Sequence, residues 1–133
     1  MKNNTDNYNI YLSYFKVAAE NPNTLSICPR TPPWYVMGKA TDIVCRKELY
    51  DAYFKRCSIT KDEFYAAYVE QTLGKLNPWA VLEKYRGKIF LGYYKEGTFD
   101  CRNLFARWIR ETTGIVLQEW NPNLLTPLWL PEL

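Results

Sequence analysis

Cys101 is the residue of this 133-residue chain with the clearest chemical potential. Asp100 or Thr98 can cap a helix that opens at Cys101, which places the thiol in a first turn whose N–H groups and dipole favour an anion. With Arg102 beside it, such a thiol would have a lowered pKa and serve as a nucleophile. The same amides, with Arg102 and Asn103, could instead hold a ligand phosphate. The plainer alternative is a small buried apolar residue at a helix–sheet contact.

A second group lies in the proline-stiffened stretch Cys28 to Tyr35, where Arg30 accompanies Trp34 and Tyr35. A fixed guanidinium beside flat aromatics suits a phosphate plus a stacked base, although Pro-rich loops also serve merely as covers. Tyr93 and Tyr94 are adjacent, so one should face a pocket and the other the core. Lys95 and Glu96 read as solvated loop charges, and Glu119 as either a carboxylate nucleophile or another surface acid.

Composition narrows the choices. Histidine is absent, which removes the commonest general base, Ser/His and Cys/His nucleophile pairs and His metal sites. Cys28, Cys45, Cys57 and Cys101 form no C-x-x-C, so neither a zinc nor a dithiol redox motif is expected, and no metal or cofactor is assigned. Cys45 and Cys57 read as structural. The net charge of +3 is too small to indicate a nucleic-acid binder. Lys84, Arg86, Lys88, Arg107 and Arg110 would have to cluster to make one. No stretch is long and apolar enough to span a membrane. The opening residues lack the apolar core and cleavage site of a secretory signal, so a cytoplasmic protein with reduced thiols is expected.

These residues need elements to position them. Asn9 to Val17 alternates like a strand, with Ile10, Leu12 and Tyr14 on one face. Glu20 to Asn23 is a turn, and Leu25 to Cys28 a short strand. Lys47 to Lys55 is predicted helical. Thr60 and Glu63 make a capping box for a helix to about Leu73, with Phe64, Ala67, Tyr68 and Gln71 on one face. Asn77-Pro78 opens a helix through Tyr85. Ile89 to Tyr94 is apolar on both faces, as in a central strand covered on each side. Cys101 to Thr112 is a helix with Leu104, Phe105, Trp108, Ile109 and Thr112 inward, stopped by Gly114. Ile115 to Trp120 is a last strand. The reading is a single three-layer α/β domain over residues 1–120, with a mainly parallel sheet and flanking helices. The segment 121–133 carries three prolines among Leu124, Leu125, Leu128, Trp129 and Leu130. It is expected to pack on its own domain, on a second copy as a homodimer, or on a partner protein.

The Tyr11–Phe15 run, Leu25 to Cys28 with Thr31 to Tyr35, Thr60 to Tyr65, Phe90 to Lys95 and Phe99 to Trp108 occur in an order that resembles the DUF four-eight-eight family. That family comprises small bacterial and phage proteins classed as a domain of unknown function. The resemblance covers Tyr8 through about Trp108. It implies an α/β fold with a site formed by the first loop, the central strand's end and the last helix's start. Cys101 stands at the family's cysteine, but Arg102 and Asn103 replace its His and Arg. Gly92 and Tyr94 replace its strand-end Cys and Glu. Pro29 takes the place of its loop arginine, with Arg30 one residue later. With the usual acid–base groups changed, the weight moves from catalysis to binding.

The expectation is therefore a binder of a nucleotide or nucleotide-derived molecule. Arg30, Trp34, Tyr35, Tyr93, Tyr94, Asp100, Arg102 and Asn103 would contact the ligand. In a phage such a protein could sequester a host defence signal. The alternatives are a nucleotide-directed hydrolase or glycosyl transferase using Cys101, Asp100 or Glu119, and an interaction protein acting through its tail.

Overall fold

A computed structural model describes residues 8–93 and 98–120. Its elements run β1 (Tyr11–Tyr14), α1 (Phe15–Ala18), β2 (Thr24–Ser26), α2 (Lys47–Phe54), α3 (Lys61–Gln71), α4 (Pro78–Lys84), β3 (Ile89–Gly92), α5 (Cys101–Thr113) and β4 (Gln118–Glu119). The strands form one parallel sheet in the order β2-β3-β1-β4. This is the α/β architecture that the alternating pattern of strands and helices predicts.

Local chemistry accounts for most helix ends. The Glu63 amide donates to Thr60 Oγ1 at 3.1 Å while the Thr60 amide donates to Glu63 Oε1 at 2.8 Å, completing the capping box of α3. Asn77 accepts from the amides of Trp79 and Ala80, and Pro78 starts α4 where its missing N–H costs nothing. Gly114, with φ of 83°, takes the left-handed conformation that ends α5.

All four residues of β3 are buried, as an apolar central strand requires. On one face Phe90 packs against Phe105 of α5 and against Tyr85, with ring centroids 5.0 and 5.2 Å apart. Thr24, in register with Ile89, lies on the opposite face and hydrogen-bonds Tyr35 Oη at 3.1 Å. The loop after β2 and Phe15 of α1 cover that side, with the rings of Phe15 and Tyr35 5.0 Å apart.

Some details differ from the sequence pattern, among them β2, which runs Thr24–Ser26 rather than Leu25 to Cys28. The first strand stops at Tyr14, and Phe15–Ala18 forms one helical turn. β1 must leave the sheet to reach β2, and the turn buries Phe15 among aromatic rings while doing so. Only Gln118 and Glu119 of the last run pair with β1, because β4 is an edge strand. On α5, Thr113 rather than Thr112 faces inward. It lies one turn after Ile109, to whose carbonyl its hydroxyl donates at 2.6 Å.

Candidate functional site

The chain leaves β1 toward one edge, bypassing β3 to reach β2, and leaves β3 toward the other, bypassing β1 to reach β4. The carboxyl ends of β1 and β3 therefore form the switch point where an open parallel sheet usually offers a crevice to ligands. Here that crevice is filled by the protein itself. Asp100 lies so close to Gly92 that a β-carbon there would stand 2.3 Å from Oδ1 and 2.4 Å from Oδ2.

Asp100 caps α5 as its sequence position predicts. Its Oδ1 accepts from the Arg102 amide at 2.9 Å, and Asn103 Oδ1 accepts from the Asp100 amide at 2.7 Å. The anion that occupies the helix N-terminus is thus the protein's own carboxylate. Arg102 turns inward rather than toward solvent. It is fully buried, with Nη1 2.9 Å from Asp100 Oδ2 and 3.2 Å from the Ser13 carbonyl, and Nη2 3.2 Å from Glu119 Oε1. The Tyr14 ring lies 5.6 Å away. A guanidinium at the heart of an α/β core is tolerable only with such partners. Asp100 and Arg102 therefore join α5 to β1 and β4, correcting their expected role as ligand contacts, while Asn103 is exposed and completes the capping box of α5. Glu119 is engaged in the same way.

The thiol at Cys101 is likewise corrected as a nucleophile. It is fully buried, its sulfur 3.7 Å from Cys45 Sγ. The hydrogen bond with Cys45, and then burial, push its pKa well above the ordinary thiol value, so it is a neutral thiol. Burial also raises Cys28 to about 11. The spacing of 56 residues between Cys45 and Cys101 gives no local signal of their meeting.

Tyr35 is buried against Phe15 with its hydroxyl on Thr24, which leaves no ring face for a base. Trp34 is 61% exposed, and with Phe15, Lys16, Val36 and Met37 it lines an open groove of about 660 Å³. Tyr93 is 48% exposed, and Tyr94 lies outside the described residues. The tail 121–133, with its proposed homodimer contact, also lies outside them.

What the structure does bring together is a hollow of about 330 Å³ beyond the ends of β2 and β3, bordered by Arg30, Pro33, Tyr50, Phe54, Lys55 and Tyr93. Arg30 Nε and Nη2 donate to the two carboxylate oxygens of Asp51 at 2.8 and 2.7 Å. This two-point contact raises the Arg30 pKa and lowers that of Asp51, and it holds the guanidinium plane in one orientation. The stretch predicted the arginine but not its partner. Tyr50 and Phe54 are spaced i, i+4 on α2, as are Asp51 and the C-cap residue Lys55, so α2 and its end supply both the aromatic wall and the two charges beside Arg30.

Among the described residues no group of three or more His, Cys, Asp or Glu side chains could hold a metal, and no helix is long and apolar enough to cross a membrane. No protein-family model matches the chain, and neither a curated protein nor a solved structure matches it.

Proposed function

We propose that the protein binds a nucleotide-like small molecule, without turning it over, in the hollow between the Arg30 loop, α2 and Tyr93. The observation that carries this reading is the orientation of Arg30 by Asp51 at the rim of a hollow walled by prolines and by Tyr50, Phe54 and Tyr93. A guanidinium held in this way presents its remaining N–H groups in a fixed direction, which suits an oxygen-rich anion. Asp51 offsets one positive charge and Lys55 adds another, so the rim suits one phosphate or phosphodiester better than a triphosphate. Exposed Tyr93 and Pro33 supply flat apolar surface for a base, while Tyr50 is buried behind them against Phe54. Two neutral thiols and a carboxylate already committed to Arg30 favour binding over catalysis.

Kinship with the DUF four-eight-eight family belongs to the same proposal, with the site shifted from the α5 N-terminus to the Arg30 side of the sheet edge. In a phage-encoded chain acting in the host cytoplasm, binding without turnover would work by sequestering a host signal. Calorimetry against mononucleotides and cyclic dinucleotides is the test. Wild type should bind one of them. Arg30→Ala should weaken that binding tenfold or more, the loss expected for a charge-assisted hydrogen bond worth about 1.5–3 kcal/mol. Cys101→Ala should bind normally. Binding of none by wild type, or turnover that Cys101→Ala abolishes, overturns the proposal.

A further inference from the structure

The structure gathers sulfur in a way that the binding reading does not use. Cys45 and Cys101 approach to 3.7 Å between sulfurs, from the segment ahead of α2 and from the first residue of α5. Cys28 is buried in the same core, whereas Cys57 is exposed. We propose that Cys45 and Cys101 are a redox-sensitive pair that a hydroperoxide closes into a disulfide, fastening the start of α5 to the entry of α2.

The geometry is close to what the bond needs. The sulfurs must approach by less than about 2 Å to reach the bonded length near 2.05 Å. The two sides are anchored differently: Cys101 is fixed by the Asp100 cap, and the 43–45 segment by the hydrogen bond from Tyr68 Oη to the Ile43 carbonyl at 2.6 Å. Closure would span 56 residues of chain, and long closed loops constrain the unfolded state most.

The chemistry balances with hydrogen peroxide as oxidant. One thiol loses its proton to water, and its sulfur attacks a peroxide oxygen. The O–O bond breaks, leaving a sulfenic acid and one water. The second sulfur then attacks the sulfenic sulfur, the S–O bond breaks, and the departing hydroxide takes the second thiol's proton to leave as water. In total two thiols and one peroxide give one disulfide and two waters. Both thiols are buried, so the reaction proceeds through local opening and runs slower than oxidation of Cys57.

The test uses the full chain carrying Cys57→Ser, treated with hydrogen peroxide and mapped by mass spectrometry of unreduced peptides. The expected product is a peptide pair joined through Cys45 and Cys101, lighter by two hydrogens, with a raised Tm that reductant reverses. Adding Cys45→Ala should abolish both the pair and the Tm rise. A disulfide that recruits Cys28 instead, oxidation to sulfinic or sulfonic acid alone, or a lowered Tm on cross-linking would each overturn the proposal. Each readout is independent of any ligand.

Discussion

Gly92→Ala is the smallest change that strikes the centre of this structure. The added methyl would stand 2.3–2.5 Å from three atoms of the Asp100 carboxylate, well inside van der Waals contact. That carboxylate has little room to yield, because Oδ1 holds the Arg102 amide and Oδ2 the Arg102 guanidinium, each at 2.9 Å. Moving it gives up the N-cap of α5, worth about 1 kcal/mol. Moving it also withdraws one partner from a fully buried guanidinium, a class of change that costs about 3–5 kcal/mol. Glu119 and the Ser13 carbonyl still hold Arg102, so the expected loss is about 3 kcal/mol rather than the full sum. Urea unfolding followed by circular dichroism measures it, with an unchanged slope showing that the denatured state is not responsible. A double-mutant cycle identifies the cause. In an Asp100→Ser background, where the shorter side chain still caps, Gly92→Ala should cost less than half as much. A Gly92→Ala loss below about 1 kcal/mol, or one equal in both backgrounds, would refute the claim that Asp100 fills the switch-point crevice.

The remaining predictions follow from the same contacts. Arg102→Ala leaves Asp100 and Glu119 without their shared cation and should destabilise by about 3–5 kcal/mol in urea unfolding, whereas a phosphate-binding Arg102 would leave stability unchanged. Thr60→Ala removes half of the α3 capping box and should cost about 1 kcal/mol by the same measurement. At high pH, burial of Cys28 sets an alkaline limit. Its folded pKa is raised from 9.0 to about 11, so its contribution is full below pH 9.0 and is lost as pH rises through 11. Cys28 should contribute a fall of about 3 kcal/mol across that window, and Cys28→Ala should make the alkaline loss shallower, with the raised Cys101, Tyr65 and Tyr85 supplying what remains. On the acid side, Arg30 depresses the Asp51 pKa below 3.8, so the two-point contact is complete above that pH and is lost as pH falls through the lower folded value. Binding measured from pH 7 downward should hold until the carboxylate range.

Much of the scaffold is legible because its signals are short-range. Thr60 and Glu63 are three residues apart and satisfy one another whatever the rest of the chain does. Pro78 and Gly114 mark helix ends through backbone geometry alone, and the unbroken apolar run at Ile89 shows that β3 is covered on both faces. The site is less legible because each of its residues has two plausible destinations. Arg30 in a stiff loop is visible as a candidate, but Asp51 lies 21 residues later on a different element.

The amino-acid order by itself determined where helices cap and stop, which strand is central, and that Cys101 would open α5, since each depends on neighbours within a turn or on hydropathy. It also determined what chemistry is missing, because no fold can supply a histidine. Only the tertiary structure decided where the side chains at the sheet edge point. Arg102 is drawn inward by Asp100, Glu119 and the Ser13 carbonyl, groups brought from β1, β4 and the head of α5. Cys101 is neutral because Cys45 and burial raise its pKa, although its helix N-terminus would lower it. A buried charge or thiol responds to whatever surrounds it, and those surroundings exist only once distant segments have packed.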